Sequence, residues 1–250
     1  MADNFSHENL DVYQKALHFA ARIDVIASEW SGGNAFVDHL IRSSESIAVN
    51  LAAGCGFRKP DQKAKCADYV LGSILESAAC LDIAHVKRLL EDNTRTKGKH
   101  FLLDMYKMAT GLRNAWEQRN DGIGEQQSAY NACHGDVVFC HEELDAYRKG
   151  LAFMDWFTEL QQGNDIPGRL RETLDKSATS IALNIAEGNG RYSTRDHKRF
   201  LRIAQKSAMK CGAYIDLAVQ RGIIPEPEAR KGKDHAVSTT NLLIGLEKAL

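Results

Sequence analysis

The chain states one pattern twice. Leu10-Asp11-Val12-Tyr13 returns as Leu144-Asp145-Ala146-Tyr147, the run 43–54 returns as 177–188, and Asp82-Ile83-Ala84 returns as Asp216-Leu217-Ala218. Every block recurs 134 residues later, so no net gap separates them. That is a tandem duplication of one folding unit. Two copies are too few for a solenoid, whose repeats need stacked neighbours to close a core. Each copy is therefore nearly a domain by itself, or half of a pseudo-dimer. A chain of 250 residues accommodates two domains of ordinary size.

Within each copy the signals are helical. Ala, Leu, Lys and Glu fill long stretches, and the four prolines lie near helix starts or in loops. The pattern predicts helices over about 10–29, 34–53, 60–91 and 98–118, then over about 143–161, 167–187, 194–221 and 227–249. Leu174, Ala178, Ile181 and Ile185 step by four, three and four, which makes one buried face. Gly188 and Gly190 follow, as Gly54 and Gly56 do in copy one, and are expected to supply the left-handed residue that ends a helix. Ser193-Thr194-Arg195-Asp196 reads as a capping box opening the next helix, where copy one uses Pro60. Residues 118–142 show no helical period. The predicted organisation is a first four-helix bundle at 1–118, a linker at 119–142 and a second bundle at 143–250, all-α and up-and-down in both copies. The composition, 44% hydrophobic and 26% charged, is that of an ordinary soluble protein. No apolar run reaches the roughly 20 residues of a membrane span, so no membrane partner is expected. Six cysteines without paired spacing and a polar N-terminus point to reduced thiols in a cytoplasm.

Asn184-Ile185-Ala186-Glu187-Gly188-Asn189-Gly190-Arg191-Tyr192-Ser193, followed by Asp196, Phe200-Leu201-Arg202-Ile203-Ala204 and Ser207, is a distinctive string. It resembles the signature of the four-helix-bundle proteins encoded in intervening sequences of large-subunit ribosomal RNA genes. The accessory variability determinant proteins of diversity-generating retroelements are part of that family. The resemblance covers both copies. It implies an up-and-down bundle that oligomerises, with five-fold rings among its members. It also implies, for the retroelement members, binding to a reverse transcriptase and nucleic acid. Most members carry no assigned activity. Copy one departs from the signature, with Ala53 in place of Glu187 and Phe57-Arg58 in place of Arg191-Tyr192. Family members usually have a single copy, so the fusion is a departure too.

The strongest functional signal lies on the third helix of copy two. Arg191, Arg195, Lys198, Arg199, Arg202, Lys206 and Lys210 stand against one acid, Asp196. Residues 195, 199, 202, 206 and 210 share one helical stripe, which can track a phosphate backbone. The copy-one counterparts of the six from Arg195 onward are Asp61, Ala64, Lys65, Asp68, Gly72 and Glu76. Two readings stay open. The stripe meets RNA or an acidic partner, or the acidic face of copy one meets the basic face of copy two. A second stripe of Ser177, Ser180, Asn184 and Glu187 repeats as Ser43, Ser46, Asn50 and Ala53. Small serines let helices approach, Asn fixes register, and Glu187 is placed to pair with Arg191, so this stripe reads as structural.

Chemistry is otherwise sparse. Arg95 with His100 and Arg230 with His235 resemble the Arg/His pair of HEPN-type helical ribonucleases, although the intervening residues do not fit. Cys133-His134 and Cys140-His141 match no common zinc module. There is no Glu-x-x-His, Walker loop or dinucleotide fingerprint. Neither catalytic residues, nor a metal, nor a cofactor is expected. The leading expectation is a non-enzymatic accessory or scaffold protein that binds RNA or a reverse transcriptase–RNA complex. A purely structural interaction module and a HEPN-like ribonuclease are the alternatives. The two bundles are expected to pair as a pseudo-dimer, or to self-associate into a small even-numbered ring.

Overall fold

A computed structural model describes residues 5–30, 33–117, 138–191 and 193–250. Among the described residues there are eight α-helices and no strand. Copy one contains α1 (Asp11–Ser28), α2 (Ala35–Gly56), α3 (Pro60–Val86) and α4 (Asp92–Trp116). Copy two contains α5 (Asp145–Gly163), α6 (Gly168–Asn189), α7 (Thr194–Gln220) and α8 (Glu226–Ala249). Successive helices pack side by side in each copy, giving two up-and-down four-helix bundles. Pro60 opens α3 at its first position, and the Ser193 hydroxyl accepts from the Asp196 N–H at 3.4 Å to open α7.

The predicted break between the third and fourth helices of copy one lies too late. Helix α3 ends at Val86 and α4 starts at Asp92. Arg88 takes the left-handed conformation there, with φ 61°, as Gly222 does at the same place in copy two, with φ 67°. The Leu89 and Arg88 N–H groups then donate to Ala84 and His85 carbonyls, which satisfies the last turn. The sequence marks this bend with glycine in one copy only.

The glycines at the ends of α2 and α6 do something other than bend the chain. None of Gly54, Gly56, Gly188 and Gly190 has a positive φ. A Cβ at Gly54 would meet the Trp116 ring at 2.5 Å, and one at Gly188 would meet the Phe200 Cβ at 2.9 Å. At Gly190 it would meet Leu75 Cδ1 of the other bundle at 2.3 Å. Three of the four are spaces for a neighbour. Gly56 meets nothing within 4 Å.

The bundles dock without two-fold symmetry. Helix α3 of copy one packs on α5 and α6, and α2 reaches α6, whereas α7 packs against α6 and α8 of its own bundle. One hydrophobic core consequently runs through both copies. This explains an oddity of α3, which is apolar enough over 18 residues to pass for a membrane span. Counting uninterrupted apolar runs misses it. The helix is apolar around its circumference because it is covered around its circumference: 72% of that stretch is buried. A polar seam seals the docking. Lys87, at the end of α3, pairs with Asp175 of α6, and both side chains are 7% exposed. Asp175 also accepts from the Ala35 N–H at 2.9 Å. Arg88 reaches Asp155 at 2.5 Å, and the Tyr147 hydroxyl donates to Asp82 at 2.9 Å.

Residues 118–137 lie outside the described residues, and with them Cys133 and His134. The end of the expected linker is not linker-like. Val138 and Phe139 are buried, and a short 3-10 turn at Cys140–Glu143 leads into α5. The Phe139 N–H donates to Glu142 Oε1 at 2.8 Å, which fixes the turn.

Candidate functional site

The cationic stripe of α7 faces outward. Arg195, Arg199, Arg202, Lys206 and Lys210 are exposed and Lys198 is half-buried. Arg202 pairs with Glu247 of α8 at 2.7 Å. Arg195, Lys198, Arg199, Lys206 and Lys210 have no carboxylate within 4.0 Å among the described residues. Over 15 residues at about 1.5 Å each, the stripe from Arg195 to Lys210 is about 22 Å long. Met209 (62% exposed) and Ile203 (36%) lie among the cations, and Leu217 (45%) lies about two turns beyond Lys210. The sequence pattern alone does not mark Met209 and Leu217 as exposed. Their copy-one counterparts Leu75 and Ile83 are fully buried, and that apolar match was the available signal.

Arg191 does not belong to that stripe. Its side chain is 15% exposed, paired with Glu187 and stacked on the Phe200 ring at 4.8 Å. Its guanidinium lies against α3 of the other bundle, where a Cβ on Gly72 would stand 3.3 Å from it. This accounts for the charge divergence between copies. Gly72, the counterpart of Lys206, makes room for Arg191. Glu76, the counterpart of Lys210, pairs with His39 at 2.9 Å, and Asp68, the counterpart of Arg202, pairs with Arg113 at 2.5 Å. Asp68 and Glu76 thus serve their own bundle and Gly72 serves the docking, while Asp61 is exposed with no cation within 4.0 Å among the described residues. They do not meet the basic face of α7. Burial raises the Glu187 carboxyl above the usual range, Arg191 opposes the rise, and the nearby Glu76 adds to it.

The serine–asparagine stripe ties helices together identically in each copy. The Ser73 hydroxyl donates to Ser46 Oγ at 2.8 Å, and Ser180 and Ser207 share a hydrogen bond at 2.9 Å. Asn50 and Asn184 each donate one turn back, to the Ser46 and Ser180 carbonyls at 2.8 and 2.7 Å. Serine makes the cross-helix link and asparagine holds the serine. Ser43 adds a bond to Ser77 at 2.7 Å.

A second polar cluster is buried at the docking seam. Lys99 Nζ lies 2.8 Å from Asp82 and 2.7 Å from Glu142. His141 is fully buried between Phe139 and Tyr147, and neither of its ring nitrogens has a partner among the described residues. Burial, with Lys99 adding to it, lowers the His141 imidazole to about 3. Asp82, His141 and Glu142 present ligand atoms within 4.8 Å of one another. The ammonium of Lys99 already supplies a cation to both carboxylates, so the donor set does not call for another.

The Arg/His pairs are not assembled for catalysis. Arg95 turns to Asp82 and Asp92, while His100 hydrogen-bonds the Thr96 carbonyl on the surface. Arg230 approaches Glu226 at 3.8 Å, and His235 is half-buried.

Neither curated proteins nor solved structures give a match to this chain. One family model matches it twice, over residues 8–111 and 142–245, and is described as the 23S rRNA-intervening sequence protein. The two matches fall on the two bundles, and together they cover most of the sequence. The chain belongs to the 23S rRNA-intervening sequence protein family, as a tandem pair of its domains.

Proposed function

We propose that this protein is a non-enzymatic accessory protein that presents the outward face of α7 to RNA. One observation supports this above the rest: α7 carries five cations with no carboxylate within 4.0 Å among the described residues, on a face whose copy-one counterpart is taken up by docking around Gly72 and Leu75. An exposed row of unpaired charge has no packing role in its own bundle, and it suits a polyanion. The family resemblance adds that its retroelement members bind a reverse transcriptase and nucleic acid.

The test is Arg199→Glu with Lys206→Glu. Mobility shifts with a structured RNA, repeated across salt concentrations, should show weaker binding. The slope of log affinity on log salt should fall by about 1.4–1.8, since each lost phosphate contact removes about 0.7–0.9. Unchanged affinity and slope would remove this reading. A second reading, a protein-interaction module, is favoured by Met209 and Leu217, because two large exposed apolar side chains on one face suit a protein partner. Met209→Ser with Leu217→Ser would leave RNA binding intact under the first reading and abolish assembly under the second.

A further inference from the structure

The two bundles differ sharply where their first and fourth helices meet. In copy two, α5 and α8 close on one another around Trp156, which is 7% exposed. Its indole lies directly over Gly232, where a Cβ would come within 2.3 Å of the ring. In copy one the counterparts are Arg22 and Gly98. Arg22 is exposed, and α1 and α4 touch over a shorter length. A cleft of about 680 Å³ opens between them, a size typical of small-molecule sites, which span about 300–1,000 Å³.

The lining has two chemistries. The floor is apolar: Phe19, Ile23, Leu81 and Leu90 are all buried side chains of the core. The rim carries Lys15, His18, Arg22 and Lys97, and no carboxylate lines it. Lys15 reaches outward to Asp104 at 3.7 Å, while Arg22 and Lys97 have no ion-pair partner among the described residues. Copy two keeps the apolar residues, as Phe153, Phe157, Ile215 and Ile224, but covers them and lacks the acid-free basic rim. Glu228 stands where copy one has Thr94 and pairs at 3.0 Å with Lys231, the counterpart of Lys97. Ala152 stands where copy one has His18. Copy one therefore lacks the plug and the rim acid of copy two, and carries two basic groups, His18 and Arg22, that copy two does not.

We propose that this cleft binds a free fatty acid, with its hydrocarbon tail on the apolar floor and its carboxylate at Arg22 and Lys97. A neutral hydrocarbon would leave the cations unused. A small polar anion would leave the floor unused. The site is separate from the α7 face and stands or falls independently of it.

Isothermal titration of the full chain with dodecanoate, below its micelle-forming concentration, reads the site directly. One dodecanoate should bind per chain, more tightly than dodecanol, with no saturable binding of inorganic phosphate. Arg22→Trp, which gives copy one the plug of copy two, should abolish binding. Arg22→Glu and Lys97→Glu should each weaken it by about tenfold or more, as expected for a lost charge-assisted contact, with helicity unchanged by circular dichroism. Met209→Glu with Leu217→Glu should leave the affinity as it was. The proposal is overturned if the wild-type chain shows no saturable binding or binds dodecanol equally well. It is also overturned if affinity survives both glutamate variants, or if the α7 double variant removes it.

Discussion

Replacing Asp175 by alanine should unsettle the whole molecule, because that carboxylate is the keystone of the seam between bundles. It pairs with Lys87, at 7% exposure on both sides, and caps the Ala35 N–H at 2.9 Å. In Asp175→Ala, Lys87 keeps, among the described residues, the Asn34 side-chain oxygen at 2.9 Å and a distant Phe36 ring at 5.7 Å. Removing one partner of a buried pair destabilises by about 3–5 kcal/mol. In a chain of this size each kcal/mol moves the melting point by about 2–4 °C, so the expected fall is about 6–20 °C. Urea unfolding followed by far-ultraviolet circular dichroism gives the free energy. The double variant Lys87→Met with Asp175→Leu should recover most of the loss, since an apolar pair of similar volume replaces a buried ion pair at little or no cost. Lys176→Ala, on the next residue of α6, has an exposed partner in Glu172 and should leave the melting point unchanged. If Asp175→Ala costs less than about 1 kcal/mol, the figure for an exposed pair, then the seam is open to water and the docking described above is wrong.

Two further outcomes follow from the same seam. Gly190→Val should destabilise by about 1–3 kcal/mol through overpacking against Leu75, and adding Leu75→Ala should relieve it, as read by the same urea unfolding. His141 makes stability depend on pH. Its folded value of about 3 lies below the ordinary histidine value of 6.5, so the unfolded chain takes up the proton first. The contribution is intact above pH 6.5 and is lost as the pH falls. Between pH 7 and 5 the loss is about 2 kcal/mol, and His141→Leu should remove that part of the slope in unfolding free energy measured against pH.

Much of the fold was legible because the chain is its own control. The constant offset aligned the copies, and Pro60 and Ser193 announced two helix starts at the residues where they occur. The end of α3 was hidden because Arg88 occupies a left-handed position without the glycine that marks it at 222. Glycine itself misled at 54, 188 and 190, since the spaces it leaves belong to Trp116, Phe200 and Leu75, distant in sequence. The period of three and four placed the α7 cations on a stripe, but it could not tell an exposed stripe from a paired one. That distinction depends on which helices dock, and docking uses faces that do not correspond between copies. For the same reason Arg191 joined the cations by sequence and left them in space. The contrast of Trp156 with Arg22 was in view from the start, yet it means something only once Gly232 and Gly98 are known to lie opposite.

The one-sided docking also bears on how the two halves can change with time. Adjacent repeats in a gene tend to overwrite each other by recombination. Here such a transfer would be punished by packing. A segment of α7 pasted into α3 would bring Lys206 to the position of Gly72, against the guanidinium of Arg191, and would set Lys210 in place of Glu76 beside His39. The reverse transfer would strip the cations from the only α7 the chain has. Each half is therefore shielded from being rewritten by the other, and the duplication is locked into two unlike parts.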